Sequence, residues 1–277
     1  MAEAFGFLLL LLSYFVETRA LKGQKSEKIN GLLGNIIHIS LPITSGRYLN
    51  SLLRTGENIL VPKNLSKYPK SGHSALSQFG MIKGMALPIL FFPSAILNAI
   101  STLLIPEMSE AVACGKFGTL KRSTEKTVKI TLCVGILFGA IFWSMGKEIG
   151  SIVYKNGDVG FLICVLAPIV PFMYLDSIAD GILKGLDQQR YTFFTAISDS
   201  SIRIILICTT LSFSGLRGFI VIMYFSNLFT CILNVRRLLK ISGAKFKFFY
   251  EILLPLISAV TITLLASTLL NIFAIQS

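Results

Sequence analysis

The chain has 277 residues, 53% of them hydrophobic, 11% aromatic and 14% charged, with a mean hydropathy of +0.71. Soluble domains carry about 25% charged residues, so this composition excludes a soluble enzyme, a disordered chain and a secreted disulfide scaffold, and predicts an all-α polytopic helical membrane protein. The net charge of +12 sits mostly between apolar runs, which points to anionic lipid headgroups rather than nucleic acid.

A span needs about 20 apolar residues, and eight apolar segments predict about eight transmembrane helices. The first, 5–16, is short; its leading Glu3 and the lack of a small-residue cleavage site argue against a signal peptide. A basic stretch follows with Arg19, Lys22, Lys25 and Lys28. The others are 36–61, 80–105, 128–145, 161–182, 193–211, 219–235 and 252–275. Pro42, Pro88, Pro93, Pro168 and Pro171 lie in or near three of them. Proline removes a backbone donor and kinks a helix; in lipid this is tolerated where neighbours or a watery cavity satisfy the freed carbonyls.

Basic residues set orientation. With the Arg19–Lys28 loop in the cytoplasm, 16 basic residues fall on that side and 7 outside, the outer set being Lys63, Lys67, Lys70, Lys83, Lys147, Lys155 and Arg217. Trp143 and Tyr154 are expected to be interfacial anchors at an outer loop.

Charged groups at bilayer depth usually face a cavity or a partner. Arg47, Asn50, Arg54, Glu57 and Asn58 fall on one polar stripe of the second segment. Arg54 and Glu57 are close enough along the helix to pair. The stripe reads either as a cavity wall for an anionic substrate or coupling ion, or as an internally paired face near the membrane surface. Asp176, Asp180 and Lys184 share a face of the fifth segment. Asp180 is well placed to pair with Lys184, whereas Asp176 has no cation on its own helix and is the better candidate for protonation or sodium binding; the alternative is that all three are solvated at the surface. Asp199 and Arg203 read as an ion pair, and Asn98 and Asn227 as interhelical amides. Gly135 with Gly139, and Gly181 with Gly185, permit close helix approach.

The five cysteines form no paired motif, only two histidines occur, and no pattern for a metal, cofactor or nucleophile is present; the expected cofactor set is empty and the chain is expected not to be an enzyme.

The run GMALPILFFPS at 84–94, followed by IPEMSEA at 105–111, is distinctive. With LPIT at 41–44, ENILVPKNL at 57–65 and GILKGL at 181–186, it resembles the stage V sporulation protein B group of polysaccharide-biosynthesis flippases, within the superfamily that includes multidrug and toxin extrusion transporters. The resemblance implies two six-helix lobes working by alternating access in a bacterial cytoplasmic membrane. It implies a lipid-linked sugar pyrophosphate or peptidoglycan precursor as substrate, and an ion gradient or membrane potential as drive. Glu57 falls where this group tends to carry an acid. Arg47 and Arg54 suit pyrophosphate oxygens by their own chemistry, and with Asn50, Glu57 and Asn98 they make the expected substrate-binding set. Asp176, Asp180 and Asp199 make the expected ion-coupling set.

The chain is about half the length such a flippase needs. The resemblance therefore divides it into the last helix of an N-terminal lobe with its basic loop (1–28), a six-helix C-terminal lobe (29–240) and a basic linker with an accessory helix (241–277). It implies either a separate N-terminal lobe as partner or self-association. A multidrug exporter of the same fold, and a non-transporting remnant or scaffold, stay open as alternatives.

Overall fold

The computed structural model describes residues 2–20, 32–68, 75–244 and 257, with side chains described for 6–16, 48–68, 76–244 and 257. The expected segment at 252–275 apart from Ile257, the basic loop beyond Ala20, Lys70 and the side chain of Arg47 lie outside them. Every regular element among the described residues is helical, and the chain is a helical membrane protein. It divides into two compact units, Met1–Ser45 and Gly46–Ser277. Helix α1 (Ala2–Ala20) lies in the first unit and its apolar stretch is exposed, Leu10 and Val16 most of all. Helix α2 (Leu32–Leu65) contributes its second half to the larger unit.

The larger unit continues with α3 (Ala75–Gly80), a π-helical turn (Met81–Ala86), α4 (Leu87–Phe91) and α5 (Ser94–Ala113). This is one proline-interrupted helical run, longer at both ends than the 80–105 segment. Pro88 has no N–H, and the preceding turn widens so that the Leu87 N–H donates to Ile82 O. Next come α6 (Phe117–Tyr154), α7 (Gly157–Leu166), a 3₁₀ turn (Ala167–Ile169) at Pro168, and α8 (Val170–Gly185). The last described helix, α9 (Gln189–Ser242), is broken at Gly215, whose φ of 57° and ψ of −143° are not helical. Its two limbs fold back on each other. Ser226 donates to Asp199, and the Tyr191 hydroxyl donates to Leu233 O at 3.0 Å.

Among the described residues four helical stretches are long and apolar enough to cross a membrane: α5, α6, the α7–α8 run, and α9, whose two limbs hold the 193–211 and 219–235 segments. Large apolar side chains such as Phe92, Leu103 and Phe213 stand about four-fifths exposed, as a lipid-facing surface requires.

Inside lipid, helices gain little from hiding apolar surface, so close packing and hydrogen bonds must hold the bundle. Both are present. A Cβ on Gly135 would stand 2.7 Å from the Pro171 Cα, so α6 and α8 touch backbone to backbone there. At Gly185 the α8 backbone instead receives the Ile105 side chain of α5, which a Cβ there would strike. Tyrosines from neighbouring helices reach the irregular turns. The Tyr154 hydroxyl donates to Met85 O at 3.3 Å, Tyr174 to Leu90 O at 2.6 Å, and Tyr224 to Val165 O at 2.6 Å. These carbonyls sit at or beside the π turn, the Pro93 break and the Pro168 turn, where regular helical pairing is disturbed. Tyr154 thus turns inward to the α3–α4 run, unlike the interfacial anchor expected of it, while Trp143 is exposed.

One end of the unit gathers the basic residues. The Ser109 hydroxyl donates to Gly185 O at 2.7 Å, and Arg237 donates to Gln188 Oε1 at 2.6 Å from Nη2 while lying over the Tyr191 ring. These links bring the α5–α6, α8–α9 and α9 C-terminal ends together, with Arg122, Lys126, Lys184, Arg190, Arg236 and Lys240 near them. Lys121, Arg122, Lys126 and Lys129 lie on the first turns of α6 rather than in a loop. Lys83, expected on the outer side, is inside the π turn.

Candidate functional site

The polar stripe of α2 runs from open surface into the bundle. Arg54 and Asn58 are exposed, Asn50 is half-buried, and Glu57 is 4% exposed. The expected Arg54–Glu57 pair is not formed, because Glu57 turns toward the core and Arg54 away from it. Two cations from other helices reach Glu57 instead. Lys83 Nζ lies 3.5 Å from Glu57 Oε1 and donates to Asn58 Oδ1 at 3.1 Å. Arg203 Nη1 lies 3.4 Å from the same Glu57 oxygen. Arg203 also pairs with Asp199 one turn before it on the first limb of α9, and Ser226 of the second limb donates to Asp199 Oδ1 at 2.5 Å. One guanidinium therefore bridges two buried carboxylates from different helices, and two cations balance two anions.

Asp176 is held differently. Thr230 donates to its Oδ2 at 3.1 Å and Asn234 to its Oδ1 at 2.9 Å. Both donors are neutral, and no cation pairs with Asp176 among the described residues. Ser226, Thr230 and Asn234 are spaced by four on the second limb of α9, so one helix face presents three polar groups in successive turns. That ladder carries Asp199 on its first rung and Asp176 on the other two. The Oδ1 of Asn234 is buried and lacks a hydrogen-bond partner among the described residues, as does Nε of Arg203.

Asp180 pairs with Lys184 on α8, and both are partly exposed. Asn98 lies across from α8, where Ser177 donates to its Oδ1 at 3.1 Å. With Thr102 exposed one turn further along α5, these residues make a polar wall on an otherwise apolar surface. Asn227 bonds within its own helix, to Met223 O at 2.8 Å, and takes no part in the cluster.

Sequence reasoning singled out Glu57, Asp199, Arg203 and Asp176. The contact between Glu57 and Arg203, 146 positions apart, has no local signal. Lys83 was missed because, three residues into the 80–105 segment, it reads as a lysine at the membrane surface rather than as a partner for a buried acid. The four-residue spacing of Ser226, Thr230 and Asn234 in an apolar run was the signal available for the ladder.

The MatE family model matches residues 64–209, just over half of the chain. Stage V sporulation protein B of Bacillus subtilis (strain 168) is 26% identical over 152 residues, covering 55% of this chain and 29% of that protein. Sporulation protein YkvU of the same organism is 24% identical over 190 residues, covering 68% of this chain and 43% of that one. The chain thus matches less than half the length of either curated relative. No solved structure matches.

Proposed function

The chain belongs to the MatE family, and we propose that it forms one lobe of a membrane transporter that moves a lipid-linked, pyrophosphate-bearing envelope precursor between leaflets. The observation that carries this reading is the continuous polar line from exposed Asn58 and Lys83, through Glu57 and Arg203, to Asp199 and Ser226, on the same helix face as exposed Arg54 one turn before Glu57. It crosses an otherwise apolar bundle, and charges at such depth mark substrate or ion paths. The names of the two relatives, both sporulation proteins, support a role in the cell envelope, and the expected home is the cytoplasmic membrane of a bacterium with the basic end inward.

In this reading Arg54, with Arg47 and Asn50, meets the pyrophosphate, since a guanidinium offers forked donors to phosphate oxygens. The wall formed by Asn98, Ser177 and Asp180 offers hydrogen bonds to sugar hydroxyls. Asp176 takes up the coupling proton or cation, because its partners are neutral while Glu57 and Asp199 already have Arg203. A second lobe, from another chain or another copy, closes the cavity and supplies the opposing half of the alternating movement.

The test is a leaflet-accessibility assay with a fluorescent lipid-linked pyrophosphate in vesicles containing the chain and its complementing lobe. Arg54→Ala is expected to cut flipping at least tenfold with insertion unchanged. Asp176→Asn is expected to leave residual flipping that no longer responds to an imposed ion gradient. Wild-type rates in Arg54→Ala would overturn the pyrophosphate role. Unchanged gradient dependence in Asp176→Asn would make that carboxylate structural. Gradient-driven efflux of an amphiphilic cation, with no flipping, would favour the drug-exporter reading.

A further inference from the structure

The polar line makes no use of a cleft between α5 and α6 at the basic end of the bundle. Its walls are mainly apolar, with Leu97, Ile100 and Leu104 on α5 facing Ile130, flanked by Thr127 and Thr131, on α6 around a volume of about 270 Å³. At one end it opens into a shallower recess that shares Ser123 and Lys126 and adds Thr119 and Arg122. Ile130, Lys126 and Arg122 are spaced by four, so one face of α6 changes from apolar to basic within about 12 Å. Ile100, Ile130, Lys126 and Arg122 are all exposed. One carboxylate, Glu107, lies at the junction, leaving two cations against one anion.

We propose that this cleft is a binding site for an anionic diacyl phospholipid, with an acyl chain along the α5–α6 walls and the phosphate held by Arg122 and Lys126. The chemistries along the cleft are those of the lipid itself: a mainly apolar trough, then a polar end where Lys126 and Arg122 alternate with the hydroxyls of Ser123 and Thr119, donors for phosphate and glycerol oxygens. Basic recesses between spanning helices are where acidic headgroups lodge. A free anion accounts for the cations but leaves the apolar trough unused. A neutral lipid fills the trough but gains nothing from Arg122 and Lys126. The site shares no residue with Arg54 or with the line from Lys83 to Ser226, so it stands or falls apart from the transport reading.

The experiment is native mass spectrometry of the full chain released from mixed micelles of phosphatidylglycerol and phosphatidylcholine. Phosphatidylglycerol is expected to be retained preferentially. Arg122→Gln and Lys126→Gln are each expected to weaken that retention about fivefold, the usual effect of one cation at an anionic surface. Ile100→Trp, which fills the trough and keeps both charges, is expected to reduce retention as well, while Lys240→Gln at the same end leaves it unchanged. Both charge substitutions are at exposed positions, so they remain informative even if Ile100→Trp fails to fold. Equal retention of the two lipids, or unchanged retention in the Arg122→Gln, Lys126→Gln double variant, would overturn the proposal. So would displacement by inorganic phosphate with no effect of Ile100→Trp, which would mark a simple anion site.

Discussion

Arg203 is the residue on which the buried cluster turns. Its guanidinium, with a side chain 25% exposed, bridges Glu57 and Asp199, whose side chains are 5% and 8% exposed. Removing one partner of a buried ion pair leaves an uncompensated charge and commonly costs about 3–5 kcal/mol. Arg203→Met is expected to destabilise the chain by about that much in thermal unfolding in detergent. The cost should fall mainly on Asp199, because Glu57 keeps Lys83 while Asp199 keeps only Ser226. Adding Asp199→Asn to Arg203→Met should therefore restore most of the loss, whereas adding Glu57→Gln should restore less. Equal rescue by the two second substitutions would mean that Lys83 does not compensate Glu57. The pairing of Asp199 with Arg203 was legible in the sequence because both lie four apart on one helix. The bridge to Glu57 was not, since it depends on how α2 and α9 dock, and helical spacing says nothing about docking. The same limit explains Arg54 and Glu57, whose spacing allowed a pair that the bundle declines in favour of two cations from elsewhere.

At the scale of elements, the folding back of α9 rests on Gly215. Its φ of 57° with ψ of −143° lies in a region that side chains other than glycine rarely enter. A Cβ there would also stand 2.7 Å from the Tyr68 ring. Gly215→Ala is expected to cost at least about 1–3 kcal/mol from backbone strain alone, and to loosen the ladder, because Ser226 meets Asp199 only if the two limbs lie side by side. Gly56 is the comparison: it is helical and a Cβ there meets nothing within 4 Å, so Gly56→Ala should be neutral or stabilising by up to about 1 kcal/mol. Unfolding of the two variants side by side separates hairpin strain from a general response to losing glycine. The apolar runs on either side of Gly215 were readable as separate segments. Most interior breaks were also signalled, since prolines at 88, 93 and 168 stand at or next to them. Element lengths were less readable. Helix α6 runs for 38 residues where its apolar core is 18, because helix continues past the bilayer on polar sequence that hydropathy discards. The paired glycines at 135 and 139 gave a weak signal whose partner, Pro171, only the packed structure identifies.

At the largest scale, the described residues of the larger unit have a basic end and a less basic one, and this asymmetry predicts how the unit sits in a membrane. Helix α6 is about 57 Å long at 1.5 Å per residue, against a hydrocarbon core of about 30 Å, so both its ends project into water or headgroups. Its first turns carry Lys121, Arg122, Lys126 and Lys129, and the same end of the bundle holds Lys184, Arg190, Arg236 and Lys240. In the proposed reading a bias of this kind is expected to put that end in the cytoplasm. Cys114 marks it, exposed at the turn between α5 and α6. In a variant whose other four cysteines are serine, a membrane-impermeant maleimide should leave Cys114 unlabelled in intact cells and label it in inverted vesicles. A variant with all five native cysteines replaced and Val153→Cys, exposed near the far end of α6, should show the opposite pattern. Reversal of both patterns would put the Arg122–Lys126 recess on the outer surface. Labelling of both sites from one side would mean that α6 does not cross the bilayer, despite being long and apolar enough to do so.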